Sequence, residues 1–160
     1  MQISMTKPRR LSLFFLRVAI GWHFAFEALS KIENPDWTAY YYLQASQGPF
    51  SGAFHALADS ALMPLVDLLN QWGMLAIGLG LILGWFTRIW AYAGMALVFL
   101  YFLATPSWPG LEYPAAFEGN YLLVNKNLIE CLALWVLALF PSGAPYGLDA
   151  LFQNKKTAES

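Results

Sequence analysis

The sequence has 160 residues, the usual length of one domain, and it is 58% apolar, 17% aromatic and only 12% charged. Soluble proteins average about 25% charged residues, so this composition is typical of an integral membrane protein. A net charge of −1, with basic residues near the ends of apolar segments, excludes a nucleic-acid-binding protein. A single cysteine, Cys131, excludes an intrachain disulfide, and His23 and His55 are the only histidines, so we expect no metal or haem motif.

Four segments approach the length of about 20 residues that a bilayer core requires. They are residues 11–32, 63–86, 88–105 and 121–140. We therefore expect residues 1–160 to form a single all-α domain, an integral membrane four-helix bundle. The first segment is too long and too charged for a cleaved secretory signal, so we expect it to be a retained helix.

The positions of Lys and Arg predict the orientation of these spans. Basic residues precede the first span, occupy the turn between the second and third at Arg88, and follow the fourth, whereas residues 33–62 and 106–120 contain none. The positive-inside rule therefore predicts outer connections at residues 33–62 and 106–120 and places both termini in the cytoplasm. The expected location is the inner (cytoplasmic) membrane.

The first outer connection carries its own helix signals. Asn34-Pro35-Asp36 combines a capping side chain, a proline and an acid, and predicts a short helix of about ten residues. A second short helix is expected within residues 50–62. The aromatic residues Trp37, Tyr40, Tyr41 and Tyr42 suit the headgroup level, so these interfacial helices either roof the outer mouth of the bundle or only anchor it.

The first span is unusual because four ionisable residues share one of its faces. Arg17, His23, Glu27 and Lys31 fall within an arc of about 120° at about 100° per residue. Each ionised group costs about 2.5–3.5 kcal/mol at the centre of a bilayer, so this face must contact protein or water. Arg17 lies nearer the cytoplasmic side, where we expect it to snorkel or to pair with a backbone carbonyl.

The fourth span repeats the acid and base spacing of the first. Glu27 and Lys31 are four residues apart, as are Lys126 and Glu130, and Asn127 follows Lys126. If the two faces meet, Lys31, Lys126 and Asn127 bind a small anion or a quinone carbonyl, while Glu27 or Glu130 transfers protons. The alternative is a set of structural ion pairs.

Three other features of the spans bear on function or on helix packing. His23, one turn before Glu27, is a candidate proton relay or quinone ligand, or else a satisfied interior histidine. Cys131 is expected to be an inert apolar side chain. Gly80 and Gly84 in the second span have the small-xxx-small spacing that lets helices approach closely.

Six segments, in this order along the chain, resemble the DoxX/DoxD family. They are residues 16–22 (LRVAIGW), 26–32 (FEALSKI), 34–37 (NPDW), 48–50 (GPF), 84–88 (GWFTR) and, the strongest, 119–130 (GNYLLVNKNLIE). The resemblance extends from about Leu11 to Asp149 and implies a four-helix integral membrane protein. The DoxD branch is associated with thiosulfate:quinone oxidoreductase, which oxidises thiosulfate to tetrathionate, reduces a membrane quinone and has a second subunit called DoxA.

The leading hypothesis is a membrane subunit of a quinone-linked oxidoreductase that acts on thiosulfate or a related small sulfur anion at the outer side. Its site would comprise His23, Glu27 and Glu130 for proton transfer and Lys31, Lys126 and Asn127 for binding, with a membrane quinone as cofactor. No segment resembles DoxA, so a DoxA-like partner would be a separate polypeptide, and a homo-oligomer is the other expected assembly. The alternatives are a small-molecule carrier and a non-catalytic structural or assembly subunit.

Overall fold

The computed structural model describes residues 6–111, 113, 123–140 and 146–150. Within these ranges the regular elements are helices and no strand occurs, which confirms the all-α prediction. The helices are α1 (Lys7–Ile32), α2 (Tyr40–Gln44), α3 (Ser51–Ala58), α4 (Met63–Leu83), α5 (Thr87–Ala104) and α6 (Lys126–Leu139). One π-helical turn, Leu69–Gly73, interrupts α4.

Helix lengths in the described part of the chain support a membrane protein. α1, α4 and α5 have 26, 21 and 18 residues and are long and apolar enough to cross a bilayer. The fourth predicted span is also helical, but α6 has 14 residues. At about 1.5 Å per residue it is about 21 Å long, which is less than the roughly 30 Å of a hydrocarbon core.

The start of the fourth predicted span, residues 121–140, differs from the prediction. Residues 121 and 122 lie outside the described residues, and α6 begins only at Lys126. Asn125 is the cap, because its Oδ1 accepts a hydrogen bond from the N–H of Leu128 at 3.0 Å. A capping asparagine has an extended backbone, so it ends the helix on its N-terminal side.

The helix predicted to start at Asn34-Pro35-Asp36 does not form there. The Oδ1 of Asn34 accepts a hydrogen bond from the N–H of Asp36 at 3.2 Å and closes a turn, and the five-residue α2 begins only at Tyr40. An asparagine that bonds the backbone two residues later favours a turn over a helix start. The second short helix is confirmed as α3, which has eight residues.

The core lies between two helix pairs. α1 packs mainly on the second half of α4, and α5 packs mainly on α6, while α4 also contacts α5 and α1 also contacts α6. The shared core contains large buried side chains from all four of these helices, including Phe24, Ile77, Leu81, Val98 and Leu134. These contacts leave the side of the bundle between α1 and α6 less closely packed than the α1–α4 and α5–α6 sides.

Glycines set the close approach of α1 to α4. A Cβ at Gly78 would lie 2.6 Å from the backbone nitrogen of Ala25, and one at Gly21 would lie 2.9 Å from the carbonyl oxygen of Gly78. Backbone contacts of this kind need residues without a side chain. Gly80 has a different neighbour, because a Cβ there would meet the Trp90 ring.

Residues 146–150 stabilise the turn between α4 and α5. Gly84 follows α4 with a φ of +65°, and Phe86 precedes α5 with a φ of +48°. Asp149 then caps α5: its carboxylate accepts hydrogen bonds from the N–H of Phe86 at 2.8 Å and from the hydroxyl of Thr87 at 3.0 Å. A carboxylate at a helix N-terminus satisfies free N–H groups and complements the helix dipole.

Candidate functional site

In the described part of the chain, the polar faces of the first and fourth predicted spans meet where His23 pairs with Glu130. His23 of α1 and Glu130 of α6 lie 2.8 Å apart between Nδ1 and Oε1. The side chain of His23 is 45% exposed, whereas that of Glu130 is 14% exposed. Glu27 lies one turn after His23 on α1, and Lys126 lies one turn before Glu130 on α6.

A groove of about 360 Å³ runs between α1 and α6 at this ion pair, and we call it the α1–α6 groove. Its lining consists of Leu16, Ile20, His23, Lys126, Ile129, Glu130 and Ala133. Apolar side chains from both helices therefore form most of the walls, and the His23–Glu130 pair and Lys126 provide the polar groups. The groove is open to the surroundings of the bundle.

Lys31 lies in a second environment, which we call the Lys31 cage. Its Nζ is 5.2 Å from the ring centroid of Trp37 and 5.6 Å from that of Tyr101, and it donates to the Sδ of Met74 at 3.3 Å. Glu27 lies at the edge of the cage, with 3.9 Å between its Oε2 and the lysine Nζ. The lysine side chain is only 14% exposed, so its charge is largely removed from solvent.

The predicted binding residues are therefore divided between two places. Lys126 lines the α1–α6 groove, Lys31 occupies the cage, and the half-buried Asn127 is absent from the groove lining. The cause is the late start of α6: Glu130 pairs with His23, and α6 extends only one turn before Glu130. Lys31 lies two turns beyond His23, so its neighbours come from α4, α5 and the first connection instead.

No family model, characterised protein or solved structure matches this chain. The likeness to the DoxX/DoxD family stays a prediction from the segments quoted above. The function is therefore inferred from the residues and geometry of the groove and the cage.

Three residues of the cage were missed by sequence reasoning. The sequence predicts only that Trp37 lies at the headgroup level, and no pattern in it singles out Tyr101 or Met74. Asn70, which accepts a hydrogen bond from the Tyr101 hydroxyl, lies in the π-helical turn of α4. π-turns recur at functional sites, but the apolar pattern of a span does not reveal them.

Arg17 lies outside the groove and the cage, in contacts that hold the fold together. Its side chain is fully buried, its Nη2 donates to the carbonyl oxygen of Tyr146 at 2.8 Å, and its Cζ lies 5.4 Å from the Phe14 ring centroid. The expected carbonyl partner is confirmed, whereas the alternative of snorkelling is wrong because the guanidinium does not reach the surface. Cys131 also lies outside both places, because it is absent from the groove lining and its thiol donates to the Met95 carbonyl oxygen at 3.9 Å.

The first connection is attached to the ends of α4 and α5. The N–H of Ala39 donates to Asp67 at 2.8 Å, and the hydroxyl of Tyr42 donates to the carbonyl oxygen of Tyr101 at 3.2 Å and lies 3.0 Å from the Thr105 hydroxyl. Burial raises the pKa of Tyr42 to about 12. These contacts attach the connection to one end of the bundle.

Proposed function

We propose that this protein is a membrane subunit of a quinone-linked oxidoreductase of the DoxX/DoxD type. The observation that carries the proposal is the His23–Glu130 pair, 2.8 Å apart, in a groove that opens between two apolar helices. An ionisable pair at this depth of an apolar helix is costly to bury and points to a functional role. An apolar groove with a few polar groups is the usual form of a site for a small organic molecule.

The residues of the groove fit a quinone head group. Leu16, Ile20 and Ile129 offer apolar surface for the ring and the start of the isoprenoid tail. A bound quinone supplies a two-electron acceptor that also takes up two protons. The groove must therefore combine apolar contacts with groups that bind a carbonyl oxygen and move protons.

His23 and Glu130 can perform the proton chemistry together. Glu130 holds the Nδ1 side of the ring, so the Nε2 of His23 is the nitrogen that can donate to a carbonyl oxygen. The carboxylate stabilises the protonated imidazole and can itself accept a proton in a later step. Lys126 adds a positive charge to the same groove and favours the developing negative charge on an oxygen.

The proposed electron donor is thiosulfate or a related small sulfur anion. Two thiosulfate ions release two electrons when they join as tetrathionate, and one quinone takes up two electrons and two protons to become a quinol. The resemblance to the DoxD branch supports this choice. A separate DoxA-like polypeptide is the proposed partner, and the positive-inside pattern supports cytoplasmic termini in the inner membrane.

A photoreactive short-chain quinone tests the proposal in nanodiscs. We expect light-dependent labelling of the α1 and α6 peptides that line the groove, competition by excess unlabelled quinone, and at least tenfold less labelling in His23→Leu. Tyr92→Leu is the matched control, because Tyr92 is also an exposed side chain of a long apolar helix but lies outside the groove. Labelling that is unchanged in His23→Leu, or spread evenly over all helices, would contradict the proposal.

A further inference from the structure

Lys31 is a half-buried cation whose side chain is 14% exposed, and most of its hydrogen-bond donors have no partner among the described residues. An ammonium has three N–H donors, yet within the described ranges its only hydrogen-bond acceptor is the weak Met74 sulfur at 3.3 Å. The Glu27 carboxylate, at 3.9 Å, is beyond hydrogen-bond distance. Charges that are largely removed from solvent are normally paired and hydrogen-bonded, whereas the described residues place no oxygen acceptor within hydrogen-bond distance of Lys31.

Two arginines of the bundle each have an oxygen partner. The fully buried Arg17 donates from Nη2 to the carbonyl oxygen of Tyr146 at 2.8 Å, although its Nε and Nη1 have no hydrogen-bond partner among the described residues. Arg88, in the same end region, donates to the carbonyl oxygen of Ala138 at 3.0 Å. Both guanidinium groups thus have oxygen partners supplied by the fold, whereas Lys31 is surrounded by two aromatic rings and a thioether.

We propose that the Lys31 cage is the binding site of a small oxyanion, separate from the α1–α6 groove. The anion supplies the oxygen acceptors that Lys31 lacks, while Trp37 and Tyr101 stabilise the ammonium from their ring faces. The identity of the anion as the electron donor rests on the proposed function, but anion binding itself does not.

The position of the cage fits a ligand that arrives from water. Trp37 belongs to the first connection, and the turn before it, residues 33–36, is exposed. The connection is held in place by the hydrogen bond from Ala39 to Asp67 at 2.8 Å. The cage therefore lies at the end of α1, directly under a polar turn, whereas the groove opens along the side of the bundle.

Glu27 affects how strongly the Lys31 cage should bind an anion. Its carboxylate lies 3.9 Å from the ammonium and is 46% exposed, so it partly neutralises the positive charge that an anion would meet. Removing the carboxylate charge while keeping the side-chain shape should therefore strengthen anion binding. A purely structural Glu27–Lys31 pair predicts no such gain.

Isothermal titration of the full-length protein in nanodiscs tests the site, with thiosulfate, sulfate and phosphate as separate probes. We expect binding of at least one of them to wild type, at least tenfold weaker binding to Lys31→Met and severalfold tighter binding to Glu27→Gln. Lys7→Met, at the exposed start of α1, is the matched control and should bind as wild type does. Thermal unfolding of each variant verifies that it is folded.

Several results would overturn the anion site. These are no binding of any of the three anions by wild type, unchanged affinity in a folded Lys31→Met, or loss of binding in Lys126→Met while Lys31→Met still binds, which would place the anion in the groove. If Lys31→Met does not fold, Glu27→Gln decides, because an unchanged or weaker affinity there contradicts the proposal.

The site and the proposed function can fail separately. Anion binding without quinone labelling would leave the Lys31 cage in place and remove the quinone-linked reaction. Quinone labelling without anion binding would remove the Lys31 cage as an anion site and leave the quinone-linked reaction in place.

Discussion

Tyr42 shows at the residue scale how one hydroxyl secures the connection over the bundle. Its pKa is raised to about 12 by burial, whereas a tyrosine in an unfolded chain has a pKa of about 10. Because the folded-state pKa is the higher one, its contribution to stability is fully present below pH 10 and is lost as the pH rises to about 12.

Tyr42→Phe should therefore have two effects on unfolding in detergent. At pH 7 the free energy of unfolding should fall by about 1 kcal/mol, because the hydroxyl's hydrogen bonds are lost. Between pH 10 and about 12 the variant should lose less stability than wild type. Tyr41→Phe, at a 74% exposed residue, is the control and should match wild type, and identical pH profiles for Tyr42→Phe and wild type would contradict the assignment.

The ionisable residues of α1 could be recognised from the sequence, but their partners only in part. The shared face of Arg17, His23, Glu27 and Lys31 was evident from helical periodicity, as was a carbonyl partner for Arg17. The register between α1 and α6 was not evident from the sequence, because it depends on where the cap at Asn125 starts α6. The cage depends on a turn that places Trp37 near Lys31, and no local pattern encodes that contact.

At the scale of elements, Gly78 is a position at which the backbones of α1 and α4 come close together. Gly78→Val should destabilise the protein by 2 kcal/mol or more, a value of roughly the size expected for overpacking, because its Cβ would lie 2.6 Å from the Ala25 backbone nitrogen. A backbone atom cannot move aside as a flexible side chain can. Thermal unfolding in detergent measures the loss.

Gly52→Ala is the control for this substitution. Gly52 is helical in α3, and a Cβ there would meet nothing within 4 Å. We expect unchanged stability or a gain of up to about 1 kcal/mol, since alanine is the better helix former. Equal destabilisation by Gly78→Val and Gly52→Ala would show that the α1–α4 contact is not as close as described.

Apolar runs in the sequence predicted the presence of the long helices, whereas local hydrogen bonds determine where helices begin and end. Asn34 closes a turn and Asn125 caps a helix, although both are asparagines before an amphipathic stretch. The π-helical turn Leu69–Gly73 leaves no mark in hydropathy, because one extra residue in a turn hardly alters an apolar run. Element ends are therefore decided by single hydrogen bonds that composition does not show.

At the scale of the whole molecule, the bundle has two different chemical environments in two different places. The α1–α6 groove lies on the side of the bundle and combines apolar walls with the His23–Glu130 pair. The Lys31 cage lies at the end of α1 beneath the first connection. This division suits a reaction in which a lipid-soluble electron acceptor and a water-soluble electron donor approach from different directions.

Thiosulfate-dependent reduction of a short-chain quinone tests the central claim most directly. It should be measured in membranes of the cell that makes this protein, after deletion of its gene and restoration with wild type or variants, so that any partner subunit is present. We predict that deletion abolishes the activity, that wild type restores it, and that His23→Leu and Glu130→Gln restore at most one tenth of it while Tyr92→Leu restores it fully. Unchanged quinone reduction in the deletion membranes, or full activity in His23→Leu and Glu130→Gln, would contradict the account.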